Sequence, residues 1–407
     1  MNFVEELKWR GMIYDIMPGT EEQFEKEMTA AYIGFDPTAD SLHIGSLVQI
    51  MILVHLQRSG HKPIAVVGGA TGMVGDPSGK SKERNLLDEK TLNHNLSCVQ
   101  KQLERFLDFD SGSNSAEVVN NYDWFKDFSY LDFIRDVGKH ISINYMMAKD
   151  SVRSRLESGM SFTEFSYQLV QGYDFYWLWK NKNCKVQLGG SDQWGNIVNG
   201  VELIRRIMQK NAFGLTTPLI TLSSGIKMGK TEKGAVWLDE KMFTPYDYWQ
   251  FWRNTSDEDV EKFLKYFTED DIDSLTKQIE NEKDINKLKI LLANKATTIL
   301  HGSKAAKDSA ETAKETFVRG GLGKNVPEKK IEKKTITQGI NIIELIFKNN
   351  LAQSKSEARR ILKNNGVKIN DITVNDEKKI VNIEDVQENN FIKLSIGKKN
   401  HIKVRVI

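Results

Sequence analysis

The apolar positions of the first 220 residues follow two alternating rhythms. Residues 30–35 (AAYIGF) and 63–68 (PIAVVG) are short, nearly continuous apolar runs, the pattern of strands buried on both faces of a parallel sheet. Between them Ile44, Leu47, Val48, Met51, Ile52 and Leu56 recur at helical spacing, and Gly60 stands where a helix would end in a left-handed turn. A strand–helix–strand unit of this kind predicts an open α/β sheet. Residues 186–191 (VQLGGS) read as a later strand ending in a glycine pair. Residues 120–165, rich in aromatics and mixed charge, read as a largely helical insertion.

The pattern changes near residue 245. From Pro245 to about Phe317 glycine and proline nearly vanish and apolar residues recur every three or four positions, which predicts a helical domain. Residues 318–338 hold three glycines, one proline and five lysines, and read as a linker. Residues 340–407 resume order as a small α+β unit. Ser354 with Glu357 makes a capping box, Ala358, Ile361 and Leu362 face inward, and Asn365-Gly366 ends the helix. Val367–Asn370 then forms a strand, and a hairpin spans about 391–407.

Composition narrows the class. The 407 residues are 40% apolar and 28% charged, ordinary for a globular protein of two to four domains. No apolar run reaches the roughly 18 residues of a membrane span, and the N-terminus MNFVEELKWRGMIYD has no apolar stretch of its own, so it does not read as a secretory signal. Cys98 and Cys184 are the only cysteines, which excludes a disulfide scaffold or a cysteine-based zinc cluster and fits a reducing cytosol. Net charge is +2, but residues 340–407 carry 13 Lys/Arg against 8 Asp/Glu, while the rest carry 44 against 47. The tail is therefore +5 and the remainder −3, a footprint for RNA that a solvated lysine-rich surface would share.

One motif is a decoy. Gly75–Ser81 reads GDPSGKS, but a phosphate loop needs glycine five positions before Gly79, and that position is Val74. No G-x-G-x-x-G follows the first strand either. Two other elements carry chemistry. After strand 30–35 comes FDPTADSLHIGS, a loop opening a helix near His43, with Thr38 and His43 as donors and Gly45 allowing close approach to the backbone. A helix N-terminus with such donors suits phosphate, although a lone histidine there is ordinarily a cap or surface residue. The second element is Lys227-Met228-Gly229-Lys230-Thr231 inside SSGIKMGKTEKG, a loop whose two lysines could face one polyanion or merely solvent.

In this order and about 185 residues apart, the two elements resemble the HIGH and KMSKS signatures of class I aminoacyl-tRNA synthetases. Four blocks are similar to the bacterial tyrosyl-tRNA synthetase family: 31–45 (AYIGFDPTADSLHIG), 66–80 (VVGGATGMVGDPSGK), 162–176 (FTEFSYQLVQGYDFY) and 188–196 (LGGSDQWGN). The resemblance covers essentially the whole chain. It implies a Rossmann-like parallel-sheet catalytic domain over 1–244, with 120–165 as connective insertion and 223–234 as mobile lysine loop. It further implies a helical anticodon-binding domain over 245–317, a linker over 318–338 and a ribosomal-protein-like RNA-binding domain over 340–407.

The implied reaction joins tyrosine to ATP, releases pyrophosphate, and transfers the tyrosyl group to tRNA(Tyr). Tyr32 and Asp174 would read the phenol; phenylalanine, lacking the hydroxyl, would leave them unsatisfied, so the resemblance implies discrimination with no editing site needed. Asp76, Tyr167 and Gln171 would hold the ammonium. Tyr167, Gln171 and Asp174, spaced four and three apart, share one helix face. Gln193 would lie near the carboxyl group and Asp192 on the ribose, with Gly34, Asp36, Gly45, Ser46 and Thr231 also around ATP. Thr38, His43, Lys227 and Lys230 would meet the phosphates, joined by Lys80 and Arg84. Magnesium would arrive on the ATP phosphates, with no metal site of the protein's own.

For tRNA the resemblance implies Lys149, Arg205 and Arg206 at the acceptor stem. Lys355, Arg359 and Lys363, four apart on one helix, make a cationic stripe in the tail. A homodimer through 120–165, with Phe162 as a contact, and a cytoplasmic location complete the expectation. Two positions depart from the family: Ser46 replaces the second signature histidine, and Ile33 stands where some relatives have a cysteine near the ribose. Tyr32, Asp174 and the basic tail argue against the related tryptophanyl enzyme. Ser46 alone points toward an RNA-binding paralogue with a decayed site.

Overall fold

The computed structural model describes residues 2–76, 88–110, 112–149, 152–153, 159–221, 228, 230–231, 234–318, 328–387, 390–397 and 400–407. The strands of its larger sheet are β1 (Asp15–Ile16), β2 (Ala30–Phe35), β3 (Lys62–Val67), β4 (Glu117–Asn120), β5 (Cys184–Gly190) and β6 (Phe213–Thr217). Their order is β1-β6-β5-β2-β3-β4, parallel throughout except that β1 runs antiparallel to β6. The two expected apolar runs are β2 and β3, paired side by side from Ala30↔Lys62 to Phe35↔Val67. From β2 the chain winds one way to β3 and β4, and then starts again on the other side of β2 with β5 and β6. The reversal lies between β2 and β5, where an α/β sheet opens a crevice at its strand C-termini.

Helix Ile44–Arg58 joins β2 to β3. It is buried on more than the expected stripe, since Ile50, Leu53, Val54 and His55 are covered as well. It ends as its sequence predicts. Gly60 takes φ +85° and donates to the Gln57 carbonyl, and the His61 amide reaches back to the Leu56 carbonyl. These paired bonds cap the last turn without any side chain. Tyr32 of β2 packs with Ile64, Val66, Phe175, Leu178 and Cys184 in one apolar core. Residues 120–165 contain the short helices Tyr122–Phe125, Tyr130–Asp136 and Ile143–Met147.

Packing divides the chain into two compact units, residues 1–244 with 251–301, and residues 245–250 with 302–407. The division differs from a boundary at 244/245, and its causes are local. The buried guanidinium of Arg10 donates to the carbonyls of Lys265 (2.6 Å), Thr268 (3.2 Å) and Asp270 (2.7 Å) and pairs with Glu6 at 2.9 Å. The Tyr266 hydroxyl donates to the Gly11 carbonyl at 2.6 Å. These bonds clamp helix Val260–Tyr266 to the N-terminal helix Phe3–Arg10. The longer segment of the second unit begins at Gly302, where φ 85° and ψ 160° interrupt the helical run 285–318.

The second unit holds β9 (Glu328–Ile331), β10 (Ile340–Asn341), β11 (Val367–Ile369), β12 (Ile372–Val374), β13 (Ile380–Val381), β14 (Phe391–Ile396) and β15 (Asn400–Val406). Five of these form a sheet in the order β12-β11-β14-β15-β9, with β14 and β15 as the expected hairpin. The reading of 318–338 as linker is corrected over its second half. Glu328–Ile331 pairs in parallel with β15, Arg405 clasps Glu328 at 2.7 Å, and helix Lys333–Gln338 buries Ile336 completely. Lysine-rich composition hid an edge strand, whose side chains are mostly exposed. Ser354 does cap helix Lys355–Lys363, accepting from the Glu357 amide at 3.1 Å, but the Glu357 carboxylate bonds the Gln353 amide instead of closing the box on Ser354.

Candidate active site

The crevice between β2 and β5 is lined by Tyr32, Gly34, Asp36, Thr38, His43, Gly45, Ser46, Asp76, Tyr167, Gln171, Asp174, Asp192 and Gln193. Thirteen expected residues therefore meet in one cleft. They come from β2 and the loop after it, the C-terminal end of β5, the start of helix Ile44–Arg58, one face of helix Phe162–Lys182 and, for Asp76, the turn after helix Gly69–Val74.

At the closed end, Tyr32 and Asp174 are almost wholly buried, at 1% and 3% exposure. Asp174 accepts from Trp124 Nε1 at 2.8 Å and from Asn121 Nδ2 at 3.1 Å. Its pKa is raised to about 7, chiefly by burial, with these two donors pulling it down and the nearby Asp36 adding to the rise. Burial, with Asp174 beside it, holds the Tyr32 hydroxyl well above the usual phenol range. Tyr32 Oη has no hydrogen-bond partner, and neither has Gln171 Oε1 or Gln49 Oε1. Buried polar atoms are ordinarily paired, so three orphans lining one cleft mark where a polar ligand belongs.

The middle of the cleft is a carboxylate network. Asp36 accepts from Thr71 Oγ1 at 3.0 Å and from the Tyr167 hydroxyl at 3.4 Å. Asp76 accepts from Gln193 Nε2 at 2.8 Å, and Gln193 Oε1 in turn accepts from Asn196 at 3.1 Å. The bonds to Tyr167 and Thr71 tie Asp36 of the β2 end to helix Phe162–Lys182 and to helix Gly69–Val74 after β3. Gly68 is required here: a Cβ would sit 2.2 Å from Thr71 Oγ1 and 2.6 Å from Asp36 Oδ1.

The open end is the N-terminus of helix Ile44–Arg58. His43 is its N-cap, with Nδ1 accepting from the Gly45 amide at 2.9 Å, so the capping reading and the site reading describe one residue. An accepting Nδ1 leaves the proton on Nε2, which makes the neutral ring a donor at its outer nitrogen. Met228 of the lysine loop is buried, and its amide donates to the Ile220 carbonyl at 2.8 Å. Lys230–Thr231 forms β7, paired with β8 (Gly234–Ala235). Lys80, Arg84 and Lys227 lie outside the described residues.

Of the expected tRNA contacts in the first unit, Lys149, Arg205 and Arg206 are not among the residues lining the cleft. Lys149 places Nζ 3.8 Å from the centre of the Tyr145 ring, and burial lowers its pKa to about 8. Arg205 and Arg206 both pair with Glu202, at 2.8 Å and 2.5 Å. Arg359 and Lys363 converge on Glu377, at 3.9 Å and 3.4 Å, and Lys355 is exposed at the start of their helix. Gln49, Thr71, Asn121 and Trp124 escaped the sequence reading. Thr71 lies inside a recognised block, while Asn121 and Trp124 follow the C-terminal end of β4, the side of the sheet on which ligands are held. Among the described residues no group of three or more His, Cys, Asp or Glu could hold a metal ion.

A sheet whose reversal point faces a histidine-capped helix, with the Met228 carbonyl against Gly45 at the start of that helix, is the layout of a class I tRNA synthetase. Residues 25–318 match the family model of tRNA synthetases class I (W and Y), and the chain belongs to that family. Residues 318–404 match the tyrosine–tRNA ligase SYY-like C-terminal domain. The tyrosine–tRNA ligase of Pelagibacter ubique (strain HTCC1062) is 52% identical over 411 residues, covering 100% of this chain and 99% of that protein. That of Flavobacterium psychrophilum is 50% identical, covering 100% and 99%. A C-terminally truncated mitochondrial tyrosyl-tRNA synthetase from Aspergillus nidulans superposes with a TM-score of 0.69 at 31% identity, over 78% of this chain and 94% of that one. Within its class, the chain is a member of the tyrosine–tRNA ligases.

Proposed function

We propose that the cleft activates tyrosine with ATP and then transfers it to tRNA(Tyr). The observation that carries this reading is the buried, unpartnered hydroxyl of Tyr32 beside Asp174, a pair that a phenol would satisfy and a phenyl ring would not. Asp76, Tyr167 and Gln171 receive the ammonium, and the orphaned Gln171 Oε1 supports that placement. The substrate carboxylate attacks the α-phosphorus of ATP, the bond to the β-phosphate oxygen breaks, and pyrophosphate leaves. A terminal ribose hydroxyl of the tRNA then attacks the adenylate carbonyl, and AMP leaves.

No side chain is needed as nucleophile. The protein holds the carboxylate against the phosphate and stabilises charge on the leaving pyrophosphate. Gln193 sits by the carboxyl group and Asp192 by the ribose, near Gly34 and Gly45. Thr38, His43 and Ser46 donate to the phosphates, and Lys227, Lys230 and Thr231, with Lys80 and Arg84, supply donors and cations in the transition state. Magnesium enters as part of the nucleotide substrate.

The helical region 245–317 reads the anticodon, and the C-terminal unit binds tRNA through Lys355, Arg359 and Lys363. Lys149, Arg205 and Arg206 meet the acceptor stem. Exposed Tyr130 (62%), Leu131 (76%), Ile143 (65%) and Phe162 (66%) support a homodimer through the insertion. Two cysteines outside any disulfide suit a cytoplasmic location. The test is ATP–pyrophosphate exchange and tRNA charging with tyrosine, phenylalanine and tryptophan. Exchange driven by tyrosine alone is expected; exchange driven by tryptophan, or by none, would overturn the reading.

A further inference from the structure

We propose that Trp237 is a positioning residue for His43, holding the imidazole at the angle from which it meets the ATP phosphates. The proposal rests on the phosphate role given to His43 above. Residues 42–44 and 236–238 form a short antiparallel ladder. The Ile44 amide donates to the Val236 carbonyl at 2.8 Å, the Leu238 amide donates to the Leu42 carbonyl at 2.9 Å, and His43 stands opposite Trp237. The two rings meet edge to face, with centroids 6.3 Å apart at 61°. On its other side the imidazole lies over Gly45, where a Cβ would fall 2.7 Å from His43 Cε1 and 2.9 Å from Nδ1.

The histidine is therefore held at three points: a bond from the Gly45 amide to Nδ1, the bare face of Gly45, and the indole of Trp237. The first fixes the tautomer. The two steric contacts fix the ring's rotation, which the single bond to Nδ1 would leave loose. Trp237 also lies two residues beyond β8, the partner of β7 that carries Lys230. Its main-chain bridge thus ties the base of that hairpin to the helix N-terminus.

The test is a double-mutant cycle on the full chain, reading the pre-steady-state rate of adenylate formation. Trp237→Leu is expected to slow adenylation about 3- to 10-fold, the range an aromatic pair is worth, with the tyrosine dissociation constant unchanged. Trp237→Phe, which keeps an aromatic edge, is expected to restore most of the rate. In a His43→Ala background Trp237→Leu is expected to have no further effect, because the ring it positions is gone. Equal losses in both backgrounds would overturn the proposal and make Trp237 a packing residue. If Trp237→Leu also loses tyrosine binding, Trp237→Met carries the same cycle, and equal losses there overturn it as well. Wild-type protein without tyrosine-dependent exchange would instead overturn the function itself.

Discussion

Replacing Trp124 by Phe removes the indole N–H that donates to Asp174 at 2.8 Å and keeps an aromatic ring beside Trp177, 4.3 Å away in a near-parallel stack. Hydrogen bonds to charged groups are worth about 1.5–3 kcal/mol, and one pKa unit about 1.4 kcal/mol, so the Asp174 pKa should climb by about one to two units. Starting from about 7, the ionised fraction at pH 7 falls from about a half to between about a tenth and a hundredth. The ionised acid accepts the phenol O–H. The tyrosine dissociation constant at pH 7 should therefore rise about 5- to 50-fold and recover as pH passes about 9. The sign for the free protein is opposite. A carboxyl whose folded pKa lies above its ordinary 3.8 favours the fold at low pH and loses that contribution as pH rises through about 7. Equilibrium dialysis with labelled tyrosine from pH 6 to 9 is the assay. A loss of affinity that is uniform across pH would refute the reasoning and assign Trp124 to packing.

Asp174→Asn should weaken tyrosine recognition by about 1.5–3 kcal/mol and Tyr32→Phe by about 0.5–1.5, each lowering the tyrosine-over-phenylalanine ratio in pyrophosphate exchange. Lys227→Ala and Lys230→Ala should slow adenylate formation in rapid-quench experiments while tyrosine affinity holds; equal losses in both would contradict contacts made only in the transition state. Ending the chain at Val318 should spare pyrophosphate exchange and impair tRNA charging, with the truncated protein losing most of its salt dependence. Abolished exchange would make the C-terminal sheet necessary to the first unit.

How far the sequence could be read depended on where each signal was stored. Ala30–Phe35 and Ile44–Arg58 were legible because their burial is nearly continuous and a glycine marks the helix end. Tyr167, Gln171 and Asp174 were legible through the block FTEFSYQLVQGYDFY, whose resemblance to the family singled them out, and one helix face brings all three to the cleft. Asn121 and Trp124 were not, since their meaning lies in a carboxylate 50 or more residues away across the sheet. Arg10 escaped for the same reason: three carbonyls some 255 to 260 residues distant turn a terminal helix into a clamp. The strand Glu328–Ile331 was hidden because an edge strand needs few apolar residues, and its lysines look like those of a flexible tether.

Glu377 gives the tail an anion of its own. With its carboxylate 3.9 Å from Arg359 and 3.4 Å from Lys363, two of the three stripe cations are already partly neutralised before RNA arrives. A phosphate docking there trades places with a tethered counterion that cannot diffuse away, so its departure releases no mobile salt ion. The logarithmic salt slope of tRNA binding should then count fewer ions than the stripe has cations. Glu377→Gln would free the stripe to gather its counterions from solution, and the slope would steepen even where the affinity changed little.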